Sequence, residues 1–254
     1  MSPLAENIAK VKEAIVRAAR EAGRDPAEVT LVAATKVQTS DTIRAAIAAG
    51  VTVCGENRVQ ELTGHLDDYA YDGARVHFIG HLQTNKVKYV VGRVDLIESV
   101  DSPRLLEAVD RQAEKLGIVQ DILLEVNIGR EESKGGCMPE DIPALARLAL
   151  QAEHVRLRGL MCIPPVAEGP GGNRPFFQET HQLFVDIRNK IEDNKSDINC
   201  LSMGMSGDYE DAVREGATLV RVGTALFGPR PPLHRPESVS YTHLRAHETR
   251  EDLV

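Results

Sequence analysis

The sequence predicts a single eight-fold β/α barrel of the TIM type, preceded by one extra helix. Three observations lead there. Short apolar, β-branched runs alternate with amphipathic stretches eight times along the chain; no interior linker divides it; and no G-x-G-x-x-G follows the first run, which counts against an open doubly wound sheet. Strict alternation implies parallel strands joined by crossovers, and eight such units close on themselves.

The elements follow in order. Ile8, Val11, Ile15, Ala18 and Ala19 line one face of a helix over Leu4–Ala22, with Gly23 placed to end it. Val29–Ala34 reads as a buried strand, and Ser40-Asp41 as the cap of a helix running to Ala49 before Gly50. Val51–Cys54 is the second strand and Glu56–Tyr69 its helix. Val76–Ile79 leads to a helix near Thr84–Val90, and Leu96-Ile97 to one over Ser102–Leu116, where Pro103 suits the first helical position. Ile122–Asn127, Val155–Leu160, Ile198–Leu201 and Thr218–Arg221 are the remaining strands. The helices between them cover Pro139–Gln151, Pro175–Lys190 and Tyr209–Arg214. The Pro/Gly-rich stretch Pro164–Pro175 is the one long interior loop, a length that hints at function.

Composition narrows the function. Of 254 residues 42% are hydrophobic and 27% charged, ample for a globular core. A net charge of −8 leaves no basic excess to offset phosphate, which argues against general binding to nucleic acid or anionic membrane. No apolar run is long enough to span a bilayer, and the N-terminus lacks the apolar core of a signal peptide. The four cysteines are scattered, without a C-x-x-C pair, so reduced thiols in the cytoplasm are expected, buried as small residues.

In such barrels chemistry gathers at the C-terminal ends of the strands. The first strand ends in Ala34-Thr35-Lys36, whose partly desolvated amine is a candidate Schiff-base nucleophile or a snorkelling surface lysine. The second ends in Cys54-Gly55-Glu56-Asn57-Arg58, polar groups suited to a pocket or to capping the next helix. In Gly80-His81-Leu82-Gln83-Thr84-Asn85-Lys86, Thr84 is read as a cap and His81 as a satisfied loop residue. Ser202-Met-Gly-Met-Ser206 after strand seven and Arg221-Val-Gly223-Thr224-Ala225 at strand eight stand where barrels often bind phosphate. There, small residues let backbone N–H groups approach closely and hydroxyls add donors. Lys36, a clamp of Ser206, Gly223 and Thr224, and Arg221 between them are the parts a phosphorylated aldehyde held as a lysine imine needs. Pyridoxal 5'-phosphate (PLP) is that hypothesis, and an aldolase-type enzyme acting on a phosphorylated substrate is the other.

Taken in order, Ala34-Thr35-Lys36, Gly55-Glu-Asn-Arg-Val-Gln-Glu61, His77-Phe-Ile-Gly-His-Leu-Gln-Thr-Asn-Lys86, Gly159-Leu-Met161, Ser202-Met-Gly-Met-Ser206 and Arg221-Val-Gly-Thr-Ala225 resemble the pyridoxal phosphate homeostasis protein family over Leu4–Arg230. The resemblance implies a barrel like the N-terminal domain of alanine racemase. It implies that Lys36 forms the imine, that Ser206, Gly223 and Thr224 hold the phosphate, that Asn57 and Met205 lie near the cofactor, and that Arg221 faces the pyridine nitrogen. An arginine there makes the ring a poor electron sink. The β-rich second domain that completes alanine racemases has no counterpart in this sequence, so the resemblance implies an open mouth suited to storing PLP or delivering it to apo-enzymes. A racemase or related carbon-α enzyme is the competing function. His77 and His81 are read as structural, Lys134 as a loop charge rather than an acceptor of the aldehyde, and the protein as a monomer.

Residues 1–230 are therefore expected to form the PLP-binding barrel. The tail 231–254 holds three of the eight histidines (His234, His243, His247) in a stretch, Ser238–Thr249, that completes no β/α unit and resembles a translated cloning scar. It is expected to be non-native or disordered.

Overall fold

The computed structural model describes residues 2–167, 169–190 and 197–229. The expected tail 231–254, and Arg230 at its boundary, lie outside the described residues.

Among the described residues, the strands β1 (Thr30–Ala34), β2 (Val53–Glu56), β3 (Arg75–Phe78), β4 (Leu96–Val100), β5 (Gln120–Val126), β6 (Val155–Cys162), β7 (Cys200–Ser202) and β8 (Leu219–Val222) pair in parallel and in chain order. Pairing of β1 with β8, from Thr30↔Leu219 to Ala33↔Val222, closes the barrel. Parallel neighbours need long crossovers. These are α2 (Ser40–Ala48), α3 (Val59–Asp67), a 3-10 helix (Thr84–Tyr89), α4 (Pro103–Leu116), α5 (Ile142–Gln151), α6 (Arg174–Lys190) and α7 (Tyr209–Arg214). The extra N-terminal helix, α1 (Pro3–Glu21), lies against α7 and the short α8 (Thr224–Phe227). Asn7 donates to Leu226 O at 3.0 Å, and Arg17 pairs with Glu210 at 2.9 Å. It thus covers the side of the barrel where the last helices are too short to shield the strands.

Two apolar layers result. The larger lies between strands and helices and includes Ile8, Ile43, Leu62, Phe78, Leu124 and Phe177. The smaller fills the barrel interior with Val32, Val53, Leu96, Leu123, Met161 and Leu219. Side chains alternate along a strand, so residues two positions beyond these also point inward, toward the mouth. That places Ala34, Gly55, Glu98, Glu125 and Arg221 inside. Two glycines permit close approach of backbones: a Cβ at Gly80 would stand 2.1 Å from Asn57 O, and one at Gly159, where φ is +147°, only 1.8 Å from Cys200 O. The shift of register between β5 and β6 falls beside Gly159.

Several expected boundaries move. The second strand runs to Glu56, which is wholly buried and belongs to the sheet rather than capping the next helix; α3 starts three residues later, after Arg58. Glu56 tolerates this because Asn57 N and Tyr71 OH donate to its carboxylate, at 2.8 and 3.3 Å. The fourth strand continues past Ile97 to Val100. Thr39, not Ser40-Asp41, caps α2 by accepting from Thr42 N at 3.2 Å. Thr84 is the first residue of a 3-10 helix rather than a cap. Ser102 caps α4 as expected, with Pro103 at its start. Cys54 and Cys162 are buried, which pushes their thiols up to about 12 and about 11, but Cys137 and Cys200 are only half-buried. All four are free thiols.

Candidate cofactor site

Lys36 follows β1 on a tightly held turn. Thr35 is fully buried and donates to Gly55 O at 3.2 Å, and Gln38 N returns to Thr35 O at 3.0 Å. Val37 between them has φ +60°, a conformation a β-branched residue adopts only under strain. Two groups on α3 hold it: Glu61 accepts from Val37 N at 2.8 Å, and His65 Nε2 donates to Gln38 O at 3.1 Å. The ring's other nitrogen meets Tyr71 OH at 3.1 Å. Burial, with the neighbouring Glu61 charge adding to it, pushes the Glu56 carboxyl beneath this turn above its ordinary value, despite the hydrogen bonds it accepts.

Opposite Lys36, the segment after β7 is pinned by Asp208, which accepts from Met205 N at 2.6 Å and from Asn173 Nδ2 at 2.6 Å. This brings the Ser206 hydroxyl to the start of α8, where it accepts from Gly223 N at 3.1 Å and Ala225 N at 3.3 Å. Two backbone donors converge on one oxygen, the arrangement an anion would use.

Between the two lies Arg221, buried on β8. Its Nη1 donates to Ser202 Oγ at 2.5 Å and its Nη2 to Cys162 O at 2.8 Å. Ser202 donates to Glu98 Oε2 at 2.6 Å, and His77 Nδ1 meets Glu98 Oε1 at 2.7 Å. Burial alone would push the Glu98 carboxyl up. The hydrogen bond and charge of His77, the Arg221 charge and the Ser202 hydroxyl outweigh it and hold the group below its ordinary value. His77 is thus a structural partner of Glu98, as expected of it.

Lys36, Gln38, Met205, Ser206, Arg221 and Thr224 line one cavity of about 210 Å³, with Gly223 in its wall. Six of the seven residues expected at the site therefore meet. Asn57 does not line this cavity. It follows β2, one strand over, and its buried Oδ1 has no hydrogen-bond partner among the described residues. A bigger cavity, about 650 Å³, opens at the other end of the barrel beside Thr30, Leu96, Asp121 and Leu219, the strands' N-terminal ends, where barrels carry no chemistry. Lys134 is paired with Glu131 in its own loop and donates to Pro164 O, in the loop after β6, at 3.3 Å.

Glu98 and Glu125 were not singled out by the sequence pattern, and Ser202 entered only as the start of the Ser202-Met-Gly-Met-Ser206 motif. The signal was available for the acids: Leu96-x-Glu98 and Leu123-x-Glu125 repeat at the strand period of two, so a carboxyl shares the inward face with a leucine.

Residues 4–231 match the family described as alanine racemase, N-terminal domain. A pyridoxal phosphate homeostasis protein of Aquifex aeolicus is 43% identical over 225 residues, which is 89% of this chain and 97% of that protein. One of Pseudomonas aeruginosa is 42% identical over 231 residues, 91% of this chain and 97% of that protein. The solved structure of PipY from Synechococcus elongatus with PLP bound superposes with a TM-score of 0.76 at 33% identity, covering 89% of this chain and 100% of PipY. On this similarity and its barrel, the chain belongs to the pyridoxal phosphate homeostasis protein family.

Proposed function

We propose that this protein binds PLP in the cavity beside Lys36 and serves in PLP homeostasis, with the cofactor linked to Lys36 as an imine. The observation that carries the reading is the meeting of Lys36, Ser206, Arg221 and Thr224 around one cavity, from three strand ends far apart in sequence.

The residues present fit the group. The Gly223 and Ala225 N–H groups, now donating to Ser206, would hold phosphate oxygens together with the Ser206 and Thr224 hydroxyls. Met205, 37% exposed, would cover one side. When bound, PLP supplies an aldehyde that condenses with primary amines and a ring that withdraws electrons. Arg221, donating to Ser202 and Cys162 and always charged, could only donate to the ring nitrogen and so would keep it unprotonated, which weakens that withdrawal. This favours storage and delivery to apo-enzymes over racemase-type carbanion chemistry. The names of the relatives point the same way. The unpaired thiols suit the cytoplasm, and among the described residues no helix is long and apolar enough to cross a membrane.

The test is an absorbance spectrum of the protein incubated with PLP, followed by borohydride reduction and peptide mapping. An imine band and a label on Lys36, both lost in Lys36→Ala, are expected. No band, or a label on another lysine, overturns the reading. Incubation with L-alanine in heavy water addresses the racemase alternative: carbon-α exchange lost on Lys36→Ala would restore it.

A further inference from the structure

The cofactor cavity uses the β7, β8 and β1 sector of the mouth. The β3, β4 and β5 sector across from it holds a second group of side chains that the reading above leaves without work. His81 follows β3, Asp101 follows β4, and Glu125 points inward from the end of β5. Their Nδ1, Oδ2 and Oε1 atoms converge on one point, the position a Cβ on Gly135 would take, at 4.0, 3.9 and 3.9 Å. Residue 135 is glycine, so no side chain stands between the three groups; a Cβ there would meet them at ordinary contact distance. His81 Nδ1 lies 3.8 Å from Asp101 Oδ2, and the His81 side chain is 65% exposed, so solvent reaches the cluster.

Glu125 is the member that calls for a ligand. It is only 9% exposed, yet among the described residues no hydrogen bond or ion pair reaches its carboxyl. Burying such a group unpaired is costly. Burial first, and the Asp101 charge second, push it up to about 7 against the opposing pull of Arg221. Cys162 on the neighbouring β6 is itself pushed up to about 11 and stays neutral. The Glu125 carboxyl is therefore divided between acid and base at neutral pH, where a proton-transfer group works best.

We propose that Glu125, Asp101 and His81 form a subsite for an incoming primary amine, received as its ammonium. The ammonium gives one proton to ionised Glu125, leaving a neutral amine with its lone pair available and Glu125 as the neutral acid. This rests on the PLP reading, because an aldehyde carrier must meet an amine, and amines of the lysine type arrive protonated at pH 7. Among the described residues, the lining of the Lys36 cavity holds no carboxylate to serve as that base. A lysine-type end fits better than a free amino acid, whose carboxylate would be brought toward Asp101.

The test begins with the cofactor-free protein, its glutamates labelled with carbon-13 at the carboxyl. A resonance titrating near pH 7, absent from Glu125→Gln, is expected to shift its midpoint down by about one unit when Nα-acetyl-lysine is added, and less with L-alanine. Gly135→Ala places a methyl among the three groups in ordinary contact, crowding an amine away from them, and should remove the amine-induced shift at an unchanged melting temperature. With PLP loaded, Glu125→Gln should slow transfer to Nα-acetyl-lysine about tenfold while Lys36 labelling stays complete. A midpoint unmoved by the amine, an undiminished shift in Gly135→Ala, or wild-type transfer by Glu125→Gln overturns the proposal. An equal or larger effect of L-alanine overturns the lysine preference. If wild type never loads Lys36, the PLP reading falls, and the titration without cofactor still decides the amine subsite.

Discussion

Arg221 reaches Glu98 through a single hydroxyl: Nη1 donates to Ser202 Oγ at 2.5 Å, and Ser202 donates onward to Glu98 Oε2 at 2.6 Å. The direct distance from Arg221 Nη1 to Glu98 Oε2 is 4.0 Å, and both side chains are buried. The charge that lines the cavity beside Lys36 is thus balanced from the interior of the barrel, out of reach of solvent.

Glu98→Gln leaves the Arg221 cation without that balance and keeps only one acceptor oxygen for the two groups, His77 and Ser202, that meet the carboxylate. Unpairing a buried charge costs about 3–5 kcal/mol, which urea unfolding at pH 7 will measure. Because the folded Glu98 carboxyl lies below its ordinary 4.5, its contribution is complete above that pH and is lost as pH falls through the folded value. The variant should lack this part of the acid destabilisation.

Glu125 has the opposite sign. Between 4.5 and about 7 the folded chain holds a proton that the unfolded chain has released, so stability falls as pH rises across that window, by up to about 3 kcal/mol. Glu125→Gln should flatten this fall, matching wild type at pH 4.5 and exceeding it at pH 8 in thermal unfolding. Equal slopes would show that the carboxyl is not held neutral.

Val37→Gly removes the strain of φ +60°, worth about 1–2 kcal/mol, but adds freedom to the unfolded chain worth about 0.5–1 kcal/mol. Net stability should stay within about 1 kcal/mol of wild type. Loading of Lys36, followed by absorbance, should slow, since the turn that aims the lysine is loosened. Unchanged loading would mean the strained turn has no part in aiming it.

Ser206→Ala removes the oxygen on which Gly223 N and Ala225 N converge. If the hydroxyl also binds phosphate, PLP affinity should drop by about tenfold, the worth of one charge-assisted hydrogen bond. Titration of the apo-protein measures it.

Deleting residues 231–254 should leave the imine absorbance and the melting temperature nearly unchanged, because the expected barrel is complete without them. A large loss of either would show that the tail belongs to the fold.

Much of the architecture was legible because polarity period reports which face of an element is covered. β1, α4 and α7 follow that pattern to within a residue or two. The same logic failed where a charge is stabilised from afar. The expected fourth strand, Leu96-Ile97, is too short because an acid at Glu98 ends the apolar run. In the fold its partners are His77, Ser202 and Arg221, which no local pattern connects. The expected helix start at Glu56 fails for the same reason: Tyr71 and the backbone of Asn57 satisfy its carboxylate inside, so it stays in the sheet.

By itself the sequence determined the order of elements, hence the parallel barrel, and the strand ends at which Lys36, Ser206, Arg221, Gly223 and Thr224 stand. Hydrophobic periodicity and chain connectivity are local properties, and they suffice for that. Only the tertiary structure decided which ends face one another: Lys36 across a cavity from Ser206, Asn57 outside its lining, and Glu125 beside Asp101. Barrel closure brings these groups together, and the burial it imposes sets which carboxyl stays charged and which keeps its proton.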